Sequence, residues 1–214
     1  MPRLQTLAWA WAASIIVVWS LVALSLHQPI WQLQHSRDLV AFGAIRGLDF
    51  EASESWRLFA SQWLHVKFPH MLFNALMIGI VGQAVEERLG GPMMMLVGAL
   101  GGALAQLSTV ILHSSAYVSG ASQAYLVLCG LALLTIPARS VSWWTALVGV
   151  SVAIFLDLFV SSHGALKVGH VAGIAFGSLA GMVVRWFESR YRVQRKRTSA
   201  SNSDNRFWSD WNWR

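Results

Sequence analysis

GHVAGIAFGSLAGMVVRWFESRYRVQRKR, residues 169–197, runs from a histidine through an apolar, glycine-punctuated segment into a dense basic cluster. About twenty apolar residues are what a helix needs to cross a hydrocarbon core of about 30 Å. A basic cluster directly behind such a run is the usual cytoplasmic anchor against anionic lipid. The stretch therefore reads as a membrane helix leaving the bilayer on its cytoplasmic side. The rest of the chain agrees: of 214 residues 55% are hydrophobic and only 12% charged, with a mean hydropathy of +0.49. A soluble domain carries about a quarter charged residues. The formal charge of +6 does not point to nucleic acid, because eight of the sixteen basic residues follow Met182, where they serve the membrane surface. The single cysteine, Cys129, lies inside an apolar run and builds no disulfide framework.

Further apolar runs fall at Leu7–Leu26, Pro69–Leu89, Met93–Leu112, Ala121–Ile136 and Ser142–Val160, with Val168–Phe187 as the sixth. The first also admits a signal-peptide reading, with Arg3 as its basic start and "ALS" as a cleavage site. Its length favours a retained helix. The expected fold is an all-α membrane protein, a six-transmembrane-helix bundle over residues 7–188. A long polar outer loop, residues 27–68, joins the first two runs, and residues 1–6 and a basic, Trp-rich tail, residues 189–214, flank the bundle. Arg3, Arg88, Arg139 and the tail lie on one side, and Arg37, Arg46, Arg57, Lys67 and Lys167 on the other. The first group prevails, so both termini are expected in the cytoplasm. Runs two, four and six then all begin at the outer face.

That orientation gathers the polar residues of the runs. His70 and Asn74 open the second, Ser122 the fourth and His170 the sixth, so all share one depth. Polar groups inside membrane spans usually face a bundle interior or a wet cavity. The fourth run is 16 residues, about 24 Å at the helical rise, so the preceding HSSAYVSG is expected to dip into the membrane as irregular backbone. Such backbone is tolerated only under protein cover or beside a water-filled cavity. Gly173, Gly177 and Gly181 recur every fourth residue behind His170. Either they are a packing stripe, or they permit the close approach that a serine–histidine hydrogen bond requires. His70 and Asn74 share one face and read either as interhelical glue or as oxyanion donors. His65 precedes Pro69 and is expected to order the loop.

WRLFASQWLHVKFPHMLFN (residues 56–74), then VEERLG, GASQ with Gly130 eight residues beyond Ser122, and GHVAGIAFGSLAG resemble the rhomboid intramembrane serine proteases, in the family's order from Trp56 to Gly181. The resemblance implies Ser122 as nucleophile and His170 as general base. His70, Asn74 and the Ser122 backbone N–H are implied as the oxyanion hole, with Gly120, Gly130, Gly173 and Gly177 as structural supports. Trp56 and Arg57 match the family's loop-anchoring pair, and Glu86 and Arg88 a polar pair closing the second span, read here as structural. Two positions depart from the family's pattern. Gln123 stands where glycine is usual and is expected at the substrate rim. Leu126 stands where an aromatic commonly packs the histidine, leaving Tyr125 as the substitute.

Serine is a weak nucleophile until a base takes its proton. Asp157, near the outer end of the fifth run, reads as a satisfied interfacial acid, so the expected machinery is a Ser-His dyad rather than a triad. The expected activity is a serine endopeptidase cutting transmembrane segments of other proteins near the outer face, and weak helix formers there favour cleavage. The alternative is a catalytically weak or inactive relative that binds membrane segments. A transporter is disfavoured because the polar residues cluster at one depth. The expected partners are membrane substrates and the lipid bilayer, with no nucleic acid, no cofactor and no metal. His65 and His70 lack a carboxylate cluster, no H-E-x-x-H motif appears, and His27, His35, His113 and His163 read as loop-surface residues. The expected location is a bacterial inner membrane.

Overall fold

The computed structural model describes residues 6–161 and 165–209, with side chains to Tyr191. His163, Arg3 and the last five residues of the tail lie outside it. Among the described residues five helices are long and apolar enough to cross a membrane: α1 (Leu7–Ser25), α4 (Phe68–Leu89), α5 (Gly91–Leu112), α7 with its continuation (Val141–Val160) and the first 24 residues of α8 (Val168–Ser209). α6 (Ser122–Thr135) is apolar but has only 14 residues, about 21 Å of helix. The single-turn helices α2 (Ser36–Leu39) and α3 (Arg57–Ala60) lie in the long connection between α1 and α4. The backbone of the tail continues α8 to Ser209.

α6 is the centre of the molecule. Every residue from Ser122 to Ala132 is buried, as a helix apolar on all sides must be. Packed around it are α4, α5, α7 and α8, and α1 closes the outside of α4 and α5. The α6–α8 seam is the tightest contact, and the glycines explain it. A Cβ at Gly177 would stand 2.0 Å from the Val127 carbonyl oxygen, and one at Gly173 2.8 Å from that of Gln123. Gly130 on α6 answers from the other side, where a Cβ would meet the Ile174 oxygen at 2.6 Å. The two backbones touch, so neither helix has room for a side chain there.

At the end of α4 away from the serine, the buried Glu86 carboxylate accepts the first N–H groups of α1, from Ala8 at 2.9 Å and Leu7 at 3.3 Å. A carboxylate at a helix N-terminus satisfies orphan donors and meets the positive end of the dipole. Arg88 pairs with Glu188 of α8 at 2.6 Å. The pair expected to be structural thus ties α4 to α1 and α8.

The connection after α1 is folded rather than loose. Arg57 donates to the carbonyls of Val40 at 2.7 Å and Ala44 at 3.2 Å, and pairs with Glu54 at 2.9 Å. Its guanidinium lies 4.7 Å from the centroid of the Trp56 ring. The strand β1 (Ile45–Arg46) is thereby set against β2 (Tyr117–Val118), antiparallel, with Ile45 opposite Val118.

Candidate active site

The segment that leads into α6 is the irregular backbone anticipated from the short fourth run, and several of its polar groups are held by neighbours. β2 is paired with β1, and Gly47 N–H donates to Ala116 at 3.0 Å. Gly120 N–H donates to the Ser61 carbonyl at 2.9 Å, while the Gly120 carbonyl accepts from Gln106 Nε2 at 3.2 Å. Ala121 N–H donates to His65 Nε2 at 3.1 Å. Gly120 has φ of +115°, a conformation that glycine tolerates, and its open side faces the rings of His70 and His65. Protein contacts hold the end of this segment that leads into the serine.

Ser122 begins α6 at the end of that segment. Its Oγ lies 2.9 Å from His170 Nε2 on α8. On the far side of the imidazole, Nδ1 lies 2.7 Å from Asp157 Oδ2. Ser122, His170 and Asp157 are 3%, 8% and 0% exposed. Asp157 Oδ2 also accepts the Lys167 N–H at 3.0 Å, and Oδ1 stands 3.3 Å from Lys167 Nζ. The expectation of an interfacial acid apart from the histidine is therefore corrected. α7 changes to a π-helical turn over Leu156–Val160, a widening that often marks functional positions, and Asp157 lies within it.

His65, His70 and Asn74 form one network. Asn74 Nδ2 lies 3.0 Å from His65 Nε2 and 3.2 Å from His70 Nε2. His65 Nε2 already accepts from Ala121, so its proton resides on Nδ1, facing the Trp63 carbonyl at 3.3 Å. That fixes the Asn74 amide with its NH2 toward both rings. Burial, and after it the neighbouring His70, push the His65 pKa down to about 3. His65 is thus a neutral clamp between the loop, Asn74 and the residue before the serine.

The two departures from the family's pattern resolve differently. Gln123 is 7% exposed and lies over Gly169, so it is a buried neighbour of the serine rather than an open rim. Its Oε1 accepts from Ser122 Oγ at 3.1 Å. A hydroxyl has one proton, so Gln123 and His170 compete for it. Tyr125 sets its ring edge-on to Phe73 of α4 at 5.8 Å, not against the histidine as expected. Leu126, four residues after Ser122, is the side chain that meets Gly173 of α8. Sequence reasoning missed Gln106 and Ser61, which hydrogen-bond each other beneath the serine loop. A lone glutamine inside an apolar run was the available signal. His27, His35 and His113 are exposed, and among the described residues no group of three His, Cys, Asp or Glu side chains is placed to hold a metal ion.

A hydroxyl bonded to an imidazole can be deprotonated as it attacks a carbonyl. The first helical bond of α6 runs from Tyr125 N–H to Ala121, so the N–H groups ahead of it, Ser122's included, have no intrahelical acceptor.

Comparison with known proteins supplies the kinship. Residues 52–187 match the Rhomboid domain family model. The chain is 31% identical over 153 residues to Rhomboid-like protease 2 of Toxoplasma gondii, covering 67% of this chain and 53% of that protein. It is 25% identical over 150 residues to Rhomboid protease GluP of Bacillus subtilis (strain 168), covering 68% of this chain and 29% of that one. Putative rhomboid protease YdcA of the same bacterium is 35% identical over 88 residues, 41% of this chain and 44% of that protein. The chain thus spans about half or less of the length of these relatives.

Proposed function

The chain belongs to the rhomboid family, and from that premise we propose that it is an intramembrane serine endopeptidase cleaving transmembrane segments of other membrane proteins. The observation that carries the reading is the 2.9 Å approach of Ser122 Oγ to His170 Nε2 across the glycine seam. In this reading His170 Nε2 takes the Ser122 proton as Oγ attacks the scissile carbonyl carbon. The imidazolium then gives that proton to the departing amine as the C–N bond breaks. Water, deprotonated by His170, releases the acyl group and restores the serine. The Ser122 backbone N–H, His70 and Asn74 face the oxyanion. The Asn74 hydrogen now directed to His70 at 3.2 Å is the one freed for it.

The basic residues that follow the apolar first part of α8, with Arg88 and Arg139, support a cytoplasmic position for both termini and cleavage at the outer face of a bacterial inner membrane. A helical peptide bond is shielded by its own hydrogen bonds, so segments with glycine or proline near that face unwind most readily and are the preferred class.

The test is cleavage of a model transmembrane substrate in liposomes, with the cut mapped by mass spectrometry and fluorophosphonate labelling read in parallel. Wild type is expected to cut near the substrate's outer end and to be labelled at Ser122. Ser122→Ala and His170→Ala are expected to lose at least about a thousandfold in rate. Cleavage by Ser122→Ala at the wild-type rate would refute the assignment. An unlabelled, inactive wild type would support the membrane-segment-binding reading instead.

A further inference from the structure

Asp157 meets the serine–histidine pair through His170, and its surroundings are built rather than accidental. It is fully buried at the end of α7, and both oxygens are engaged from the start of α8: Oδ2 by His170 Nδ1 at 2.7 Å and by Lys167 N–H at 3.0 Å, Oδ1 by Lys167 Nζ at 3.3 Å. Isolated buried carboxylates are costly, and this one is retained with a cation, an amide and an imidazole around it.

We propose that Asp157 is a positioning residue that completes a Ser122–His170–Asp157 triad, holding the His170 ring in the tautomer that can accept the serine proton. The inference rests on the protease reading above. A neutral imidazole carries its proton on either nitrogen, and only the form with Nδ1–H leaves a lone pair on Nε2 facing Ser122 Oγ. An ionised carboxylate is an acceptor only, so a carboxylate 2.7 Å from Nδ1 selects that form. When Nε2 takes the serine proton, the imidazolium is stabilised against the adjacent negative charge, and no proton passes to the carboxylate. The Lys167 ammonium partly offsets that charge. Its backbone N–H fixes the carboxylate plane, so orientation is the larger share of the effect. Packing by an aromatic on α6 is then unnecessary, in keeping with leucine at 126 and with Tyr125 turned toward α4.

The experiment compares Asp157→Asn, Asp157→Glu and wild type as full chains in liposomes. Asparagine keeps the size and removes the charge, so a merely structural role favours it over glutamate. Asp157→Asn is expected to lower kcat by about a hundredfold to ten-thousandfold with KM within about threefold, and Asp157→Glu to retain more activity than Asp157→Asn. Nitrogen-15 spectra of histidine-labelled wild type, assigned through His170→Gln, are expected to show His170 protonated at Nδ1. This reading stands even where a variant fails to fold. A kcat for Asp157→Asn within about twofold of wild type, or an Nε2–H tautomer in wild type, overturns the proposal. Either result with Ser122 still labelled by fluorophosphonate leaves the protease reading intact, whereas an unlabelled wild type would sink that reading and the triad with it.

Discussion

α8 and α7 both pack on α6, but they do so in opposite ways. α8 lies backbone against backbone, with glycines on both helices and no room for a methyl group between them. α7 buries only Ala146, Gly149 and Ala153 along Val141–Phe155, and an apolar cleft of about 300 Å3 opens between it and α8 beside Asp157 and His170. The serine and the histidine therefore sit on the rigid contact, and the carboxylate on the lightly held helix. Where distance matters most, in a proton transfer over one hydrogen bond, the fold allows least movement. The group whose task is orientation is carried by a helix with space beside it.

The contrast can be broken at the seam. Gly177→Ala forces a methyl group onto the Val127 carbonyl, 2.0 Å from where its Cβ would stand, and backbone cannot step aside as a side chain can. A loss of more than about 3 kcal/mol is expected, with cleavage falling with it. Gly149→Ala on α7 meets the mobile tip of Met77, Cε at 2.3 Å, and should cost less than about 1 kcal/mol. Unfolding midpoints in one detergent measure both. Equal losses would erase the distinction between the two helices.

A second effect, spread over several pH units, concerns the clamp beneath the serine loop. The pKa of His65 is lowered from 6.5 to about 3 by burial, so the unfolded chain takes up this proton before the folded one. The stability it contributes is present above pH 6.5 and is lost as the pH falls toward 3, by about 1.4 kcal/mol per unit. His65→Gln removes the titration and should flatten stability against pH across that window. An unchanged slope would mean that the clamp takes its proton while folded.

The smallest change expected is at Gln123. Gln123→Gly removes the competing acceptor 3.1 Å from the Ser122 hydroxyl, so the rate on a model substrate should stay within about threefold of wild type, an effect of under about 1 kcal/mol. Substrate preference is where a difference should appear, and a panel varied around the scissile bond would reveal it. Abolished cleavage would make the glutamine part of the machinery.

The helices were legible because a bilayer forces apolar runs on any chain that crosses it; their ends agree with the structure to within about two residues, except that α8 runs on to Ser209, past the expected end at Phe187. Residue type and shared depth single out Ser122, His170, His70 and Asn74, and the structure brings Ser122 to His170 and Asn74 to His70. Asp157 was noticed but set aside, because 13 residues of chain and a π-helical turn separate it from His170 and hide their common face. Tyr125 was misplaced by one position. At helical pitch, residues three and four beyond Ser122 diverge by about 100°, and only the latter faces α8. Gln106 and Ser61 stayed invisible because their task is to hold a loop, and nothing in a linear pattern announces that two distant polar groups will meet.

Glu86 carries a consequence for what counts as one unit of this protein. The matched family region begins at residue 52, downstream of α1, which could make the first helix look like an added tether. Yet the α1 amides at Leu7 and Ala8 are held by a carboxylate from within the matched region. Without α1 that carboxylate would face lipid or a packed interior with no donor to receive it. The edge of ancestry and the edge of architecture thus fall in different places along the chain, and the folded body extends back at least to Leu7.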